Sequence, residues 1–285
     1  MKFKLLLSLV ISACISIQVQ TIKAQATIAA DINVGASNSS PQQLEVVNGN
    51  LYFNAFEPSA GQEPRFFNGT SVSLLSDIRT GTTGSGSFSY FAAIGSDVYF
   101  QANNGVTGAE LWKWNGVTAT LAADITPGAG GSNPRGMIAY GGKIYFDANN
   151  QFYSFDGTTA VLIGGGITNA QQFAVYAGKL FFAATSTGTG TELYSYNGTS
   201  LVLEADIIPG SLSSTPQQLF VYGSRLYFNA SNGTSGQELF SFDGTTAALA
   251  ADIVPGSGSG NPAFFAELGG NLYFRATNAA NGTEL

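Results

Sequence analysis

Carboxylate side chains recur at two fixed places in this chain, and they are the groups through which it could bind a metal ion or transfer protons. A glutamate opens one apolar run of a repeated pattern, and an Asp-Ile pair closes another. The glutamates are Glu63, Glu110, Glu192, Glu238 and Glu284, and the aspartates are Asp31, Asp77, Asp124, Asp206 and Asp252. Because carboxylate, hydroxyl and carbonyl oxygens suit a hard cation, one hypothesis is a ring of calcium sites at the aspartates. The candidate loop for such a site joins Asp206 to Ser211, Ser213 and Ser214.

A second hypothesis is structural, and the sequence favours it. Calcium loops carry several closely spaced acidic residues, whereas the loops that follow these aspartates do not. We therefore expect each aspartate to accept hydrogen bonds from loop amides, such as those around Pro209 and Gly210. In the same way, each glutamate is expected to hold the glycine-rich loop that precedes it. No cofactor is expected apart from the Ca²⁺ of the first hypothesis.

Catalytic residues are not expected. The chain has no histidine and one cysteine, Cys14, so catalytic triads and metal sites built on either residue type are excluded. Paired carboxylates could hydrolyse glycosidic bonds, but the repeats offer no unique pair. Residues that stand outside the repeat are better candidates for a functional site than the repeated carboxylates, and they are Asp97, Arg79, Arg135, Lys113, Trp112 and Trp114. Trp112, Trp114 and Arg135 form a possible ligand platform, although the two tryptophans are more typical of a core between sheets.

A three-residue motif with aromatic residues, the aromatic triplet, occurs six times, and its spacing defines the repeat unit. Its central residues are Tyr52, Tyr99, Tyr145, Phe181, Tyr227 and Tyr273, at intervals of 47, 46, 36, 46 and 46 residues. A second landmark is Asn-Gly or Asp-Gly, which begins at Asn68, Asn115, Asp156, Asn197 and Asp243 and includes Gly116 and Gly244. A fixed period of this length indicates a repeat architecture.

Each repeat contains four short apolar runs, which we name strands a to d. In the fifth repeat they are residues 217–222, 225–229, 238–242 and 246–253. Asp-Gly between strands c and d predicts a type I′ hairpin, in which both central residues have positive φ. The a–b and c–d connections are short and the other two are long, so the long loops, the glutamates and the aspartates should share one face. Four strands per repeat of about 46 residues predict an all-β fold, a β-propeller.

The two ends of the chain depart from this pattern. Residues 1–24 resemble a signal peptide, with Lys2 and Lys4 before an apolar run; alternatively, Cys14 lies in a lipobox-like sequence and would anchor a lipoprotein. Residues 27–285 form the predicted propeller domain, in which 27–32 match an isolated strand d. Five complete units follow, and a sixth supplies strands a (263–268) and b (271–277) but no strand c. The isolated strand d could complete the last unit; we favour a chain that is a fragment of a longer protein.

Two segments resemble the ELWxxDGT repeat family of bacteria. They are Glu238–Thr245, read ELFSFDGT, and Glu110–Gly116, read ELWKWNG, and the Asp-Ile pairs match the end of the family unit. Tryptophan occurs only in the second repeat, and Glu-Leu is missing from the third. The resemblance implies secreted or surface propellers of Bacteroidetes-type bacteria, often with a sorting domain for type IX secretion that is not found in this sequence. It implies no defined activity.

Composition limits the classes of partner. Apolar residues make up 44% of the chain and charged residues 10%, with 36 glycines and a net charge of −7. A negative chain is not suited to nucleic acid, and no apolar stretch after the signal segment is long enough to span a membrane. We therefore expect a secreted or cell-surface binding or adhesion propeller that presents its long-loop face to a glycan or protein. The alternatives are a polysaccharide hydrolase or lyase that uses loop carboxylates, and a structural spacer of a large adhesin.

Overall fold

The computed structural model describes residues 28–86, 90–164 and 166–285. The predicted signal peptide, with Cys14, lies outside the described residues. Within them the secondary structure consists of strands, and no helix is long and apolar enough to cross a membrane.

The strands form six antiparallel sheets, each built from consecutive strands. Sheet 1 contains β1 (Gln42–Val47), β2 (Asn50–Glu57), β3 (Gly61–Phe67) and β4 (Val72–Leu74), and sheet 2 contains β5 (Ala92–Ile94), β6 (Asp97–Asn103), β7 (Ala109–Trp114) and β8 (Ala119–Ala123). Sheet 3 contains β9 (Arg135–Tyr140), β10 (Lys143–Ala148), β11 (Gln151–Phe155) and β12 (Ala160–Leu162), and sheet 4 contains β13 (Ile167–Tyr176), β14 (Lys179–Ser186), β15 (Gly190–Tyr196) and β16 (Leu201–Ala205). Sheet 5 contains β17 (Gln217–Tyr222), β18 (Arg225–Ala230), β19 (Glu238–Phe242) and β20 (Ala247–Ala251), and sheet 6 contains β21 (Ala263–Leu268), β22 (Asn271–Asn278) and β23 (Gly282–Glu284).

The predicted β-propeller is confirmed, with five complete four-stranded sheets. The first strands of sheets 2 to 6 contact one another in succession, so they lie nearest the axis and the fourth strands lie at the rim. Two predictions about the ends are wrong. Sheet 6 does have a third strand, because β23 pairs with β22 through Thr283 and Thr277. Residues 28–32 do not form a strand, because no neighbouring strand offers them a hydrogen-bonding edge in this structure.

Neighbouring sheets pack through one inserted aromatic side chain. The central aromatic of the second strand enters a socket on the next sheet: Tyr99 packs against Ile144, Phe146 and Phe155 of sheet 3, its ring 5.4 Å from that of Phe155. The equivalent residues Tyr52, Tyr99, Tyr145 and Phe181 are 4, 2, 4 and 1% exposed, whereas Tyr227, at the same position in sheet 5, is half-buried. This burial explains why the aromatic triplet is apolar on both faces of the sheet.

The two kinds of short turn differ from the prediction. Both central residues have positive φ in several a–b turns, such as Asn48 (49°) and Gly49 (78°), which is the type I′ pattern. In the c–d turns only the glycine has positive φ, for example Gly244 at 102°. Asp243 instead accepts hydrogen bonds from the amides of Thr245 and Thr246, both at 2.9 Å. The c–d turns are therefore four-residue turns held by the Asp or Asn side chain, and the type I′ prediction for them is wrong.

Candidate functional site

The repeated glutamates are structural anchors of the long loops. Glu110 is fully buried at the start of β7, where it accepts hydrogen bonds from the amides of Ile125, Thr126 and Ser132 at 3.0, 3.1 and 2.8 Å. The Ser132 hydroxyl donates to it at 2.5 Å. The same arrangement, with two or three such bonds each, holds Glu63, Glu192 and Glu238, which are also fully buried.

The loop held by each glutamate is the one that leads to the next sheet, and not the preceding glycine-rich loop that we expected. The reason lies in the strand directions: the start of the third strand and the end of the fourth meet at one edge of the sheet. Burial raises the pKa of Glu63 and Glu192, and the hydrogen bonds from the loop oppose that shift. These carboxylates therefore face loop amides and are closed to a substrate.

The repeated aspartates lie beside these loops, as predicted, but their environments differ. Asp124, Asp206 and Asp252 are exposed, whereas Asp77 is half-buried and one of its carboxylate oxygens has no partner in the described residues. Of the five, only Asp31 accepts from a loop amide in the described part of the chain, that of Gly35 at 3.4 Å. Across residues 28–86, 90–164 and 166–285, no three His, Cys, Asp or Glu side chains come together as metal ligands would. The calcium hypothesis stays a prediction.

The structure separates the three residues of the possible ligand platform. Trp112 and Trp114 are 9 and 7% exposed and belong to the core between sheets 1 and 2, so their rings do not form a surface for stacking. Lys113 instead pairs with Asp97 at 3.2 Å. Arg135 lines a cavity, and this cavity is the candidate functional site.

The candidate site lies between the first strands of sheets 1, 3 and 4 and Tyr90, which precedes the first strand of sheet 2. It has a volume of about 350 Å³. Its walls comprise Glu45, Tyr90, Arg135, Gly136, Met137, Ile138, Gln171, Gln172 and Phe173. Arg135 begins β9, where the chain arrives from a long loop, so the Arg135 end of the cavity is the end nearest the long-loop face. A second cavity of about 310 Å³ shares Glu45, Met137 and Ile138 with it and extends towards the short a–b turns.

Arg135 is held in place by three side chains. Its Nε donates to the Asp147 carboxylate at 3.1 Å, and its Nη2 donates to Asn150 and Asn169 at 2.7 and 3.1 Å. Asp147 is 1% exposed, and its burial raises the pKa of the carboxyl group, while Arg135 opposes that shift. The Nη1 of Arg135 has no partner among the described residues, so the fixed guanidinium keeps donors for a ligand.

Two other polar side chains that line the cavity are Glu45 and Gln172. Glu45 lines the cavity and is exposed as a whole residue, yet burial around its carboxyl group raises the pKa of that group. Gln172 accepts a hydrogen bond at 2.9 Å from the amide of Gln218 in sheet 5, and Gln218 accepts one at 3.3 Å from the amide of Phe264 in sheet 6. These glutamines lie at β-bulges with positive φ, 60° at Gln172 and 57° at Gln218.

The sequence reasoning missed the glutamines and Asp147. The signal for the glutamines was present, because a Gln-Gln pair occurs in the first strand of sheets 1, 4 and 5. Asp147 follows the third aromatic triplet, where other repeats have Asn54, Gln101, Ala183 or Asn229, so this acidic residue is particular to the repeat that carries Arg135. Arg79, another residue outside the repeat, lines a separate polar cavity of about 240 Å³ on the same face.

The fold is similar to solved β-propellers. It resembles the β-propeller domain of the Trilobed protease from Pyrococcus furiosus, which has an open velcro topology, with a TM-score of 0.50, 8% identity and 87% of this chain matched to 84% of that one. It also resembles a puromycin-hydrolyzing peptidase of Mycobacterium tuberculosis (TM-score 0.56, 10% identity, 84% of this chain and 44% of that one). A third similar structure is a puromycin hydrolase (TM-score 0.54, 13% identity, 88% of this chain and 45% of that one).

These identities support the propeller fold alone. This chain spans less than half the length of the two puromycin hydrolases. No family model matches the sequence, and the search of curated proteins gave no match.

Proposed function

We propose that this chain is a non-enzymatic binding or adhesion propeller that holds a glycan in the cavity at Arg135. The observation that carries the proposal is the fixed guanidinium, whose Nε and Nη2 are engaged by Asp147, Asn150 and Asn169 while Nη1 has no partner in the described residues. Guanidinium groups bind carboxylate and hydroxyl oxygens with defined geometry. The ligand class that fits is therefore a sugar, and an acidic sugar above all.

The remainder of the cavity supports a sugar as the ligand. Gln171 and Gln172 add side-chain amides, and the rings of Tyr90 and Phe173 add flat apolar walls. A volume of about 350 Å³ suits a small ligand, since ligand pockets are concave and combine apolar walls with a few polar groups. A protein partner on the long-loop face is the alternative ligand.

The proposed location is outside the cell, in the medium or on the outer surface of a bacterium. This part rests on the signal-like residues 1–24 and on the resemblance to the ELWxxDGT repeat family. Anchoring through Cys14 is the alternative, and a spacer in a larger adhesin would share the same location.

The alternative function is a polysaccharide hydrolase or lyase, and several of the carboxylates that it could use are inaccessible. Glu63, Glu110, Glu192 and Glu238 are fully buried and bound to loop groups, so they are closed to a substrate. On the long-loop face, the carboxylates that could still act as catalytic groups belong to exposed aspartates such as Asp124 and Asp206.

A glycan array with the purified chain tests the proposal, followed by titration of each bound glycan against matched variants. Arg135→Ala should weaken binding at least about tenfold, since it removes a charged hydrogen-bond donor, and Arg135→Lys should restore little because lysine lacks the planar fork. Arg225→Ala is the control, because both arginine side chains are 44% exposed and Arg225 lies in sheet 5 beside a short turn. Equal affinity of wild type and Arg135→Ala, or no binding to any glycan, would contradict the proposal.

A further inference from the structure

A second arginine that stands outside the repeat lines a polar cavity on the long-loop face. This cavity has a volume of about 240 Å³ and lies between the loop from sheet 1 to sheet 2 and the adjoining ends of β6 and β7. Its lining residues are Arg79, Thr83, Gly84, Ser85, Gly86, Gln101, Asn103, Ala109 and Asn133. We call it the Arg79 cavity. In the described residues its walls contain one cationic side chain and no acidic one.

The side chain of Arg79 is positioned by packing against a glycine of the next sheet. A Cβ added to Gly105 would lie 3.2 Å from the Nε of Arg79. In another repeat Ile208 packs in the same place against Gly233, where an added Cβ would lie 3.6 Å from its Cδ1. The stem of Arg79 thus occupies a position that an aliphatic side chain fills elsewhere, and the charged group extends beyond it.

The charge of Arg79 is not neutralised by the described residues. Five other cationic side chains pair with a carboxylate, and they are Arg65, Lys113, Arg135, Lys179 and Arg225. The guanidinium of Arg79 has no such partner in the described part of the chain. Its backbone amide donates to Glu63 at 3.1 Å, but that buried carboxylate also accepts from the Ser85 hydroxyl at 2.6 Å and belongs to the loop anchor. The guanidinium is therefore available to an anionic ligand.

Arg79 is particular to its repeat, as Arg135 is. The loops of the other repeats have Asn33, Thr126, Ile208 and Val254 at the position of Arg79. The first strands of the other described sheets have Gln42, Gln171, Gln217 and Ala263 at the position of Arg135. Two consecutive long loops thus carry a cation where the repeat has neutral residues.

Neutral hydrogen-bonding groups lie beside Arg79 in the cavity. The Oδ1 of Asn103 accepts from the amide of Gly105 at 2.7 Å, which leaves the Nδ2 of Asn103 without an acceptor in the described residues. The side chain of Thr83 adds an exposed hydroxyl group. A guanidinium with amide and hydroxyl groups around it suits a ligand that combines a carboxylate with hydroxyls, as an acidic sugar does.

The Arg79 cavity and the candidate site are neighbours, because one short segment borders both. Asn133 lines the Arg79 cavity and Arg135 lines the candidate site. Their Cα atoms are at most about 7 Å apart, since two residues of chain span no more than that. Pro134 between them is buried, and the Asn133 amide donates to the Ala109 carbonyl at 2.9 Å, so the segment is held in place.

We infer that the two cavities are subsites for one acidic oligosaccharide. The ligand lies across Asn133, with one carboxylate at Arg135 and another at Arg79. The inference rests on the proposed function, because the candidate site must hold a sugar for a second subsite to extend it. It specifies the ligand as a chain with two or more acidic residues, and not a single acidic sugar. Two linked contacts bind more tightly than one, because the second contact is intramolecular.

Isothermal titration calorimetry with oligogalacturonates and oligomannuronates of one to six residues tests the inference. In at least one series, the wild-type affinity per sugar residue should be at least about tenfold higher for the hexamer than for the monomer. In Arg79→Ala this ratio should fall to about one, because the second carboxylate loses its partner. Arg225→Ala, which removes an arginine from sheet 5, is the control and should keep the wild-type ratio.

Asn103→Asp is a second variant that leaves the Arg79 side chain in place. The aspartate keeps an acceptor for the Gly105 amide and adds a negative charge to the Arg79 cavity. It should therefore lower the affinity for the hexamer at least about tenfold, because like charges repel across the contact.

The results separate this inference from the proposed function. If Arg135→Ala weakens binding but the ratio is the same in the wild type and in Arg79→Ala, the inference is overturned and the single-sugar site stands. A wild-type ratio near one, or no binding of either series, also overturns the inference. Equal affinities of the wild type and Arg135→Ala would contradict both proposals.

Discussion

At the residue scale, a buried glutamate that accepts hydrogen bonds from loop amides joins each of four sheets to the loop that follows it. Glu110 is 0% exposed and receives four hydrogen bonds from loop groups. Charged hydrogen bonds of this kind are stronger than neutral ones, and removal of the acceptor leaves buried donors without a partner. The repetition of glutamate in four sheets thus has a structural explanation.

Glu110→Ala should lower the free energy of unfolding by about 3 kcal/mol or more, because several donors lose a charged acceptor. Glu110→Gln should cost most of the same amount, since its amide group would point a donor at donors. Chemical denaturation followed by fluorescence measures both variants. Glu267→Ala, at an exposed position on β21, is the control and should change stability by less than about 0.5 kcal/mol. Wild-type stability of Glu110→Gln would show that the charge is not needed.

At this scale the sequence predicted where the glutamates lie but not what they hold. Their recurrence at one place in the repeat showed a shared role, and the strand directions placed them correctly on the long-loop face. Which loop each glutamate binds depends on which strand ends meet in the folded protein. The spacing of residues along the chain does not show this. Arg135 was found because it stands outside the repeat, whereas its buried partner Asp147 was missed although it also departs from the repeat.

At the scale of elements, glycine and Asp or Asn have distinct roles in the loops. Gly108 and Gly131 come from two neighbouring long loops whose backbones touch: a Cβ on Gly131 would lie 2.3 Å from the amide nitrogen of Ala109. Glycine is required there by contact as well as by a φ of +69°. Sequence reasoning recognised these loops as glycine-rich, but the contact between them is a property of the folded molecule.

The c–d turns predict a dependence of stability on pH. Hydrogen bonds from the turn amides and threonine hydroxyls lower the pKa of Asp243 and Asp156 from 3.8 to about 2. Because the folded-state pKa is the lower one, these turns stabilise the fold above pH 4, and the contribution is lost as pH falls from about 4 to about 2. In Asp156→Asn/Asp243→Asn the melting temperature should therefore fall less steeply over that range.

Asparagine is a suitable replacement because it already fills the same position in other sheets. Asn115 accepts from the amides of Val117 and Thr118 at 2.9 Å each, the distances found at Asp243. Melting curves followed by circular dichroism at several pH values make the comparison with the wild type. Parallel pH profiles for the two proteins would mean that these aspartates do not contribute as argued.

At the scale of the whole molecule, the sequence predicted the propeller because the period, the four strands and the apolar faces all agree. Each sheet is too small to bury both faces alone, so the repeat already implied stacking. The terminal sheets were predicted less well. β23 consists of three residues that pair with β22, and residues 28–32, which match strand d by sequence, belong to no sheet in this structure.

A row of sheets that contact only their neighbours should not open uniformly, and amide hydrogen exchange should reveal the order. Sheet 3 is covered on both sides, with Phe146 and Phe155 at 0 and 1% exposure, whereas Tyr273 and Leu268 leave the outer face of sheet 6 open. Amides of β21–β23 should therefore exchange at least about tenfold faster than those of β9–β11 in dilute protein. Equal protection of sheets 3 and 6 in the dilute protein would mean that the six sheets open as one cooperative unit, and that the exposed outer face does not weaken the last one.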